Sequence, residues 1–383
     1  MAKSMMKKVL IVNTLPVPSG NASVNRILSY AKGLVECGDS VDIVSSGKAL
    51  DGNVEAYIDG ISIFNYGRSK SAKSLFRALW KIISKIKREK YDVIISTTNS
   101  LLLIYPLFLS SKLIGSKLLQ EKSEFPFVLM RRGILNKLWA FFYVNTTYKL
   151  MDGIIVMTNQ LYEYFLKKTK KDCKFIVMPM TVDGSRFNVE RKGDESLGDY
   201  IAYCGDMSGN KDGVTNLIKA FSYVEQKIND VSLLLIGGTT DIKEYEKLQQ
   251  LVKDLGLKKV IFYGRADRSL MPQLLKNAKV LALARPSSLQ STGGFPTKLG
   301  EYLSTGNPVV VTAVGDIPQY LNETNAFVVE PDNNEAFANA LIYVLSNNEK
   351  ALLVGEEGKK VAEKVFNYRV QSLRLHEFIN NEL

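Results

Sequence analysis

Short apolar runs rich in β-branched residues recur along the whole chain, and stretches of helical periodicity separate most of them. The first set is Lys7–Thr14, Val41–Ser46, Ile61–Tyr66, Asp92–Thr98, Lys117–Ser123, Gly153–Thr158 and Lys174–Met180. A second set restarts at Tyr200–Gly205 and continues through Val231–Gly237, Val260–Gly264, Lys279–Ala284, Pro308–Thr312 and Ala326–Glu330. Strands joined by helices cannot pair as hairpins. They form parallel sheets covered on both faces, an α/β arrangement. A chain of 383 residues is too long for one such core. We therefore expect two Rossmann-like domains, 1–184 and 185–366, facing a central cleft. The hinge falls in PMTVDGSRFN (Pro179–Asn188), followed by the polar run Val189–Asp199. Ligands of such sheets bind at the carboxyl ends of the strands. That singles out the loops Pro16–Ser23, Thr97–Ser100 and Glu121–Pro126 in the first half.

Charge separates the halves. Residues 1–185 hold 27 Lys and Arg against 14 Asp and Glu, whereas residues 186–383 hold 23 against 25. A basic first half either is solvated or faces an anionic partner. Three cysteines without CxxC spacing fit a reducing cytosol and give no metal framework. The single histidine, His376, has a helical, apolar setting that reads as structural, which argues against a Ser-His-Asp triad and against a histidine-based metal centre. The apolar run after MAKSMMKK is broken by Asn13 and Pro16, so no secretory signal is expected. Val93–Ser111 is uncharged, but the polar residues 97–100 make it a buried strand, a loop and a helix rather than a membrane span.

The most informative single stretch is GGFPTKLGEYLSTGNPVVV, Gly293–Val311. Its glycines permit close backbone approach, Pro296 suits a first helical turn, and Gly306 ends the helix before a strand. Lys298 and Glu301, three apart, share one face. The helix start offers unpaired N–H groups and a positive dipole end. This stretch resembles the donor-binding motif of retaining family-four glycosyltransferases of the GT-B fold, the bacterial surface-polysaccharide type. The resemblance extends from Lys7 to about Val365. It implies that Glu301 hydrogen-bonds the ribose of a sugar nucleotide. The family's first glutamate is replaced here by Gly293, so backbone N–H groups at Gly294 and Phe295, with Pro296 behind them, are expected to meet the sugar.

The same resemblance organises the other site residues. In YCGDMSGNKDG (Tyr203–Gly213), Gly205 ends a strand and Lys211 is expected to hold the donor phosphates. A charge-assisted bond of this kind contributes roughly 1.5–3 kcal/mol. Asp206 stands where many relatives carry arginine, so a second cation would come from Lys298, Arg265 or Arg268. Gly264 and Arg265 are placed against the nucleobase, and Ser287, Ser288 and Gln290 toward the sugar. Across the cleft, the loop bearing Gly20 and Asn21 faces the diphosphate. Arg26, Asn99, Glu121 and Glu124 lie on the acceptor side. Lys211, Glu301 and Lys298 form the expected catalytic set. No D-x-D triplet occurs, and neither metal nor other cofactor is expected.

The implied activity is transfer of a hexose, from a UDP-sugar above other donors, to a glycan or lipid-linked acceptor with retention of configuration. The alternatives are a GT-B epimerase or phosphorylase, or a basic nucleic-acid-binding protein; the neutral second half speaks against the last, and no nucleic-acid partner is expected. The last helix, 367–383, is expected to cross back onto the first domain. The basic amphipathic stretch 71–89 carries Leu75, Phe76, Leu79, Trp80, Ile82, Ile83 and Ile86 on one side and Lys73, Arg77, Lys81, Lys85 and Arg88 on the other. Its basic face either stays in water or meets anionic lipid, as does a second stretch, Phe127–Tyr148 with Arg131, Arg132 and Lys137. A cytoplasmic protein, peripheral on the inner face of the plasma membrane in the second case, is the corresponding expectation.

Overall fold

The computed structural model describes residues 6–47, 55–67, 72–126, 134–192, 196–239 and 241–383. The chain divides into two compact units. One runs to Thr181 and takes in Tyr368–Leu383; the other is Val182–Asn367.

The first unit contains β1 (Lys8–Asn13), α1 (Ala22–Glu36), β2 (Ser40–Ser45), β3 (Glu55–Ile58), β4 (Ile61–Asn65), α2 (Ala72–Glu89), β5 (Val93–Ser96), α3 (Leu101–Ile114), β6 (Lys117–Lys122), α4 (Ile134–Thr146), β7 (Gly153–Val156), α5 (Asn159–Leu166) and β8 (Lys174–Val177). The strands lie in the order β3-β4-β2-β1-β5-β6-β7-β8. All pairs are parallel except β3 with β4, a hairpin strand that alternation of strand and helix did not foretell. The direction of growth reverses between β1 and β5. Strands β5 and β7 are buried at every position, as a sheet covered on both faces requires.

Helix α2 is amphipathic, but its buried face is rotated from the expected stripe. Leu75, Ala78, Ile82 and Ile86 are buried, while Phe76 and Trp80 are exposed. Lys85, expected on the wet side, is buried and pairs with Asp42 at 2.8 Å. The residues Phe127, Leu129, Arg131 and Arg132 of the second amphipathic stretch lie outside the described residues.

The second unit contains β9 (Tyr200–Asp206), α6 (Val214–Lys227), β10 (Ser232–Gly238), α7 (Ile242–Asp254), β11 (Val260–Gly264), α8 (Met271–Asn277), β12 (Val280–Leu283), α9 (Leu289–Gly293), α10 (Lys298–Ser304), β13 (Val309–Thr312), α11 (Ile317–Tyr320), β14 (Phe327–Val329), α12 (Asn334–Ser346) and α13 (Asn348–Val361). Its strand order is β11-β10-β9-β12-β13-β14, all parallel. That is the 3-2-1-4-5-6 order of a dinucleotide-binding sheet, with its switch point between β9 and β12.

The final helix, α14 (Tyr368–Asn381), packs in the first unit against α1. Leu375, Phe378 and Ile379 join that unit's core. Glu36 accepts from Tyr368 Oη at 2.7 Å and from Arg369 Nε at 2.8 Å. His376 is buried, with Nδ1 2.7 Å from Asp39 Oδ2.

Candidate active site

The second unit's switch point is built by two loops that touch. Gly213 caps α6 in a left-handed conformation, φ 76°. A β-carbon there would lie 1.7 Å from the carbonyl oxygen of Ala284, so only glycine lets the loop after β9 meet the end of β12. This contact sets Asp212 beside Arg285, two residues past the end of β12 and itself buried. Arg285 Nε is 3.7 Å from Asp212 Oδ1, and its Nη1 donates to the Gly294 carbonyl at 3.1 Å. The Arg285 side chain is only 1% exposed.

Lys298, at the start of α10, ion-pairs with Asp212 from the other side and donates to Tyr203 Oη at 3.1 Å. Its ammonium lies 4.6 Å from the centre of the Tyr203 ring. Gly205 makes room for it, because a β-carbon there would come within 2.2 Å of Lys298 Nζ. Lys211, half-buried on a short 3-10 turn, directly precedes Asp212. Burial opposes charge on Asp212, but Lys298, Arg285 and Lys211 outweigh it and hold the carboxyl below the usual carboxylate range. Lys298 and Arg285 thus flank one carboxylate at the carboxyl end of the sheet, and Lys211, next to it in the chain, adds to their field.

Glu301 lies one turn into α10. Its Oε1 is 3.4 Å from Arg186 Nη1, and Arg186 also donates to the Arg268 carbonyl at 3.4 Å. Burial pushes the Glu301 carboxyl up, against the pull of Arg186, Arg268 and Lys298. The expected shared face of Lys298 and Glu301 therefore has different partners at each end: Lys298 is committed to Asp212, Glu301 to Arg186.

Other expected residues fall in several settings. The helix expected from Pro296 starts at Lys298, because Gly294 is extended (ψ 142°) and separates it from the short α9. Ser288 caps α9 in a reciprocal pair with Ser291, so its hydroxyl is engaged locally. Gly293 is buried at the end of α9 and Gln290 is half-buried. The Phe295 ring packs with Tyr320 and Phe366, at 5.5 and 5.4 Å, and is engaged in that packing. Pro296 is buried beside it. Gly264 ends β11 with φ 80°, and the exposed Arg265 lies over Gly238, where a β-carbon would sit 3.9 Å from its Cγ. Arg285, Asp212, Tyr203 and Arg186 were not foreseen. A charged residue abutting the apolar run VLALA is the signal that would have found Arg285.

In the first unit, Asn21 caps α1, accepting from Ser23 N at 3.0 Å, and Gly20 borders open space. Arg26 is buried: Nε pairs with Glu121 at 2.9 Å, while Nη1 and Nη2 donate to the carbonyls of Pro179 and Met178 at 2.8 and 2.7 Å. Arg26 and Glu121 thereby pin α1 to the ends of β6 and β8. Asn99 Oδ1 accepts from Tyr143 Oη at 2.7 Å and from Lys122 Nζ. Glu124 is half-buried.

Residues 198–347 match the family model described as glycosyl transferases group 1. Over 302 residues the chain is 20% identical to an uncharacterized glycosyltransferase of Methanocaldococcus jannaschii, covering 76% of this chain and 75% of that one. Sucrose-phosphate synthase from Thermosynechococcus elongatus superposes with a TM-score of 0.76 at 16% identity, over 97% of this chain and 98% of its own. HepE of Anabaena in complex with UDP superposes with a TM-score of 0.74 at 16% identity, over 97% and 99%. The fold is GT-B. The segment matching the group 1 glycosyltransferases carries Lys211, Asp212, Arg285, Lys298 and Glu301 together.

Proposed function

We propose that the protein is a retaining glycosyltransferase. Its second unit binds a nucleotide-sugar, a UDP-hexose in the first instance, and its first unit receives a glycan or lipid-linked acceptor. The observation that carries this reading is the excess of positive charge at the switch point between β9 and β12. Lys211, Arg285 and Lys298 outnumber Asp212 where a Rossmann-like sheet takes its ligand. As the glycosidic bond breaks, the leaving diphosphate gains charge, and cations already fixed at that point stabilise the transition state more than the ground state. Asp212 keeps Lys298 and Arg285 aimed. Glu301, on the same helix as Lys298, takes the ribose hydroxyls. Gly264 and Arg265, at the end of β11, flank the base. The protein's own cations supply the charge, so no metal is called for. HepE has also been seen with UDP-glucose, which supports a uridine donor here.

The first unit has a surface suited to a lipid-linked acceptor. Helix α3 exposes Leu102, Tyr105, Leu109 and Leu113, spaced along one face, and α4 exposes Leu138, Phe141 and Phe142. Tyr105 Oη donates to Thr146 Oγ1 at 2.8 Å and ties the two rows together. With exposed Lys137 and Lys149 nearby in sequence, this face fits the interface of an anionic bilayer. Among the described residues no helix is long and apolar enough to cross a membrane.

The test is a panel of UDP-, GDP- and ADP-sugars scored for release of nucleoside diphosphate, with the anomeric configuration of the product read by NMR. Turnover of a UDP-hexose with retention is expected. Failure to bind or turn over any member overturns the reading. Flotation with anionic vesicles at low salt tests the lipid face separately, and absence of binding removes it.

A further inference from the structure

Five basic side chains are buried among the described residues: Arg26, Lys85, Lys122, Arg285 and His376. Four of them face a carboxylate. Arg26 has Glu121, Lys85 has Asp42, Arg285 has Asp212 and His376 has Asp39. Lys122 has none. It ends β6 and is 5% exposed. Its ammonium bonds to the neutral Asn99 Oδ1 and, at 2.6 Å, to Tyr143 Oη. The rings of Tyr143 and Tyr148 stand 5.2 and 5.7 Å away. Burying a lysine without a counter-charge is costly, and proteins rarely do it unless something supplies the charge.

The surroundings favour an anion. Tyr143 Oη and Lys122 Nζ both donate to the one oxygen Asn99 Oδ1. Next in sequence, Ser100 starts the 14-residue α3 without a side-chain cap, so the helix's positive end opens on the same edge. Asn99 and Ser100 are half-buried, and the cluster therefore reaches solvent on that side. It lies at the carboxyl ends of β5 and β6, next to the first unit's reversal point. We propose that Lys122, with Tyr143, Asn99 and the start of α3, is a subsite for an oxyanion carried by the acceptor, a phosphate or a carboxylate. This rests on the reading of the first unit as the acceptor's.

The test follows thermal unfolding of the intact protein with glucose 6-phosphate, glucuronate, glucose and, separately, UDP. Either or both charged sugars are expected to raise Tm while glucose does not. A response to the phosphate alone assigns a phosphorylated acceptor, and to glucuronate alone an acidic sugar. Lys122→Met should weaken the response about tenfold or more in concentration, and Lys122→Arg should retain most of it. Asn99→Asp supplies an internal counter-ion. It should raise the Tm of the unliganded protein and remove the response to charged sugars. The UDP response should be unchanged in all three variants. Equal responses to glucose and the charged sugars, no response to any of them, or a lower Tm in Asn99→Asp overturns the subsite. Loss of the UDP response in the wild-type protein strikes the donor reading alone.

Discussion

The two sheets reverse direction at equivalent places, yet they use charge there in opposite ways. At the β9/β12 point the half-buried Lys298 pairs with Asp212, which the half-buried Lys211 directly precedes. At the β1/β5 side, Arg26 is closed into a buried pair with Glu121 and two carbonyls, and Lys122 into a neutral cage. The parallel core that the two sheets share therefore carries cations gathered around one carboxylate in the second unit, and cations caged separately in the first. The first sheet has two more strands, one of them the antiparallel β3, but the contrast at the reversal points comes from loop chemistry. Gly205 and Gly213 let backbone and lysine crowd together in the second unit. In the first, the loop after β1 is tied down by Asn65, which accepts from Val17 N at 3.0 Å and donates to Val17 O at 2.6 Å.

The largest effect should come from removing the glycine on which the second site is built. Gly213→Ala forces a left-handed alanine into the Ala284 carbonyl and should cost about 4 kcal/mol in denaturant unfolding. Tolerance of alanine would mean that the two loops need not touch. The matching pin of the first unit is Arg26. Arg26→Met leaves Glu121 buried and unpaired and should cost about 3–5 kcal/mol, with part regained when Glu121→Gln is added. If Arg26→Met instead left stability intact and lost acceptor use, Arg26 would belong to the site and the contrast between the units would fail.

Next come the donor residues. Glu301→Ala and Lys211→Ala should each lower transfer by about a hundredfold or more while leaving the melting curve unchanged. Full activity in either variant would remove the site assignment. Proton linkage separates the two carboxyls within the second unit. As pH falls from neutral, Glu301, pushed up by burial, protonates first. UDP affinity should weaken in that range for the wild-type protein and stay flat in Glu301→Gln. Asp212 is held low, so the stability it contributes is present above the ordinary carboxylate pKa and is lost as pH falls through its lowered folded value. Urea unfolding across the acid range should show that loss, and Asp212→Asn should not. The smallest effect on stability, within about 0.5 kcal/mol, is expected for Phe142→Ser on the exposed face of α4, with reduced vesicle binding as its readout.

The parallel strands were legible because strands buried on both faces are written as apolar runs, whereas the antiparallel edge strand β3 was not. The polar residues at 97–100 also located the turn between β5 and α3. The run FPTKLGEYL located Lys298 and Glu301, since a glycine-rich approach followed by a helix bearing Lys and Glu is a local pattern. The capping role of Ser288 was not legible, because the same hydroxyl that can reach a sugar can cap the five-residue α9. Lys85 was misplaced because helical spacing gives only a direction around the axis. It does not reveal that Asp42 waits on the neighbouring sheet.

The amino-acid order alone determined the α/β class and the division into two sheets. These follow from periodicity and from residues close together in the chain. Tertiary structure decided which charge meets which. Asp212 joins Arg285 and Lys298 from 73 and 86 positions away, and Arg186 reaches Glu301 across 115. It also left Lys122 with neutral company. Ion pairing depends on separations of a few ångströms, and chain position does not carry that distance until the strands have been ordered side by side.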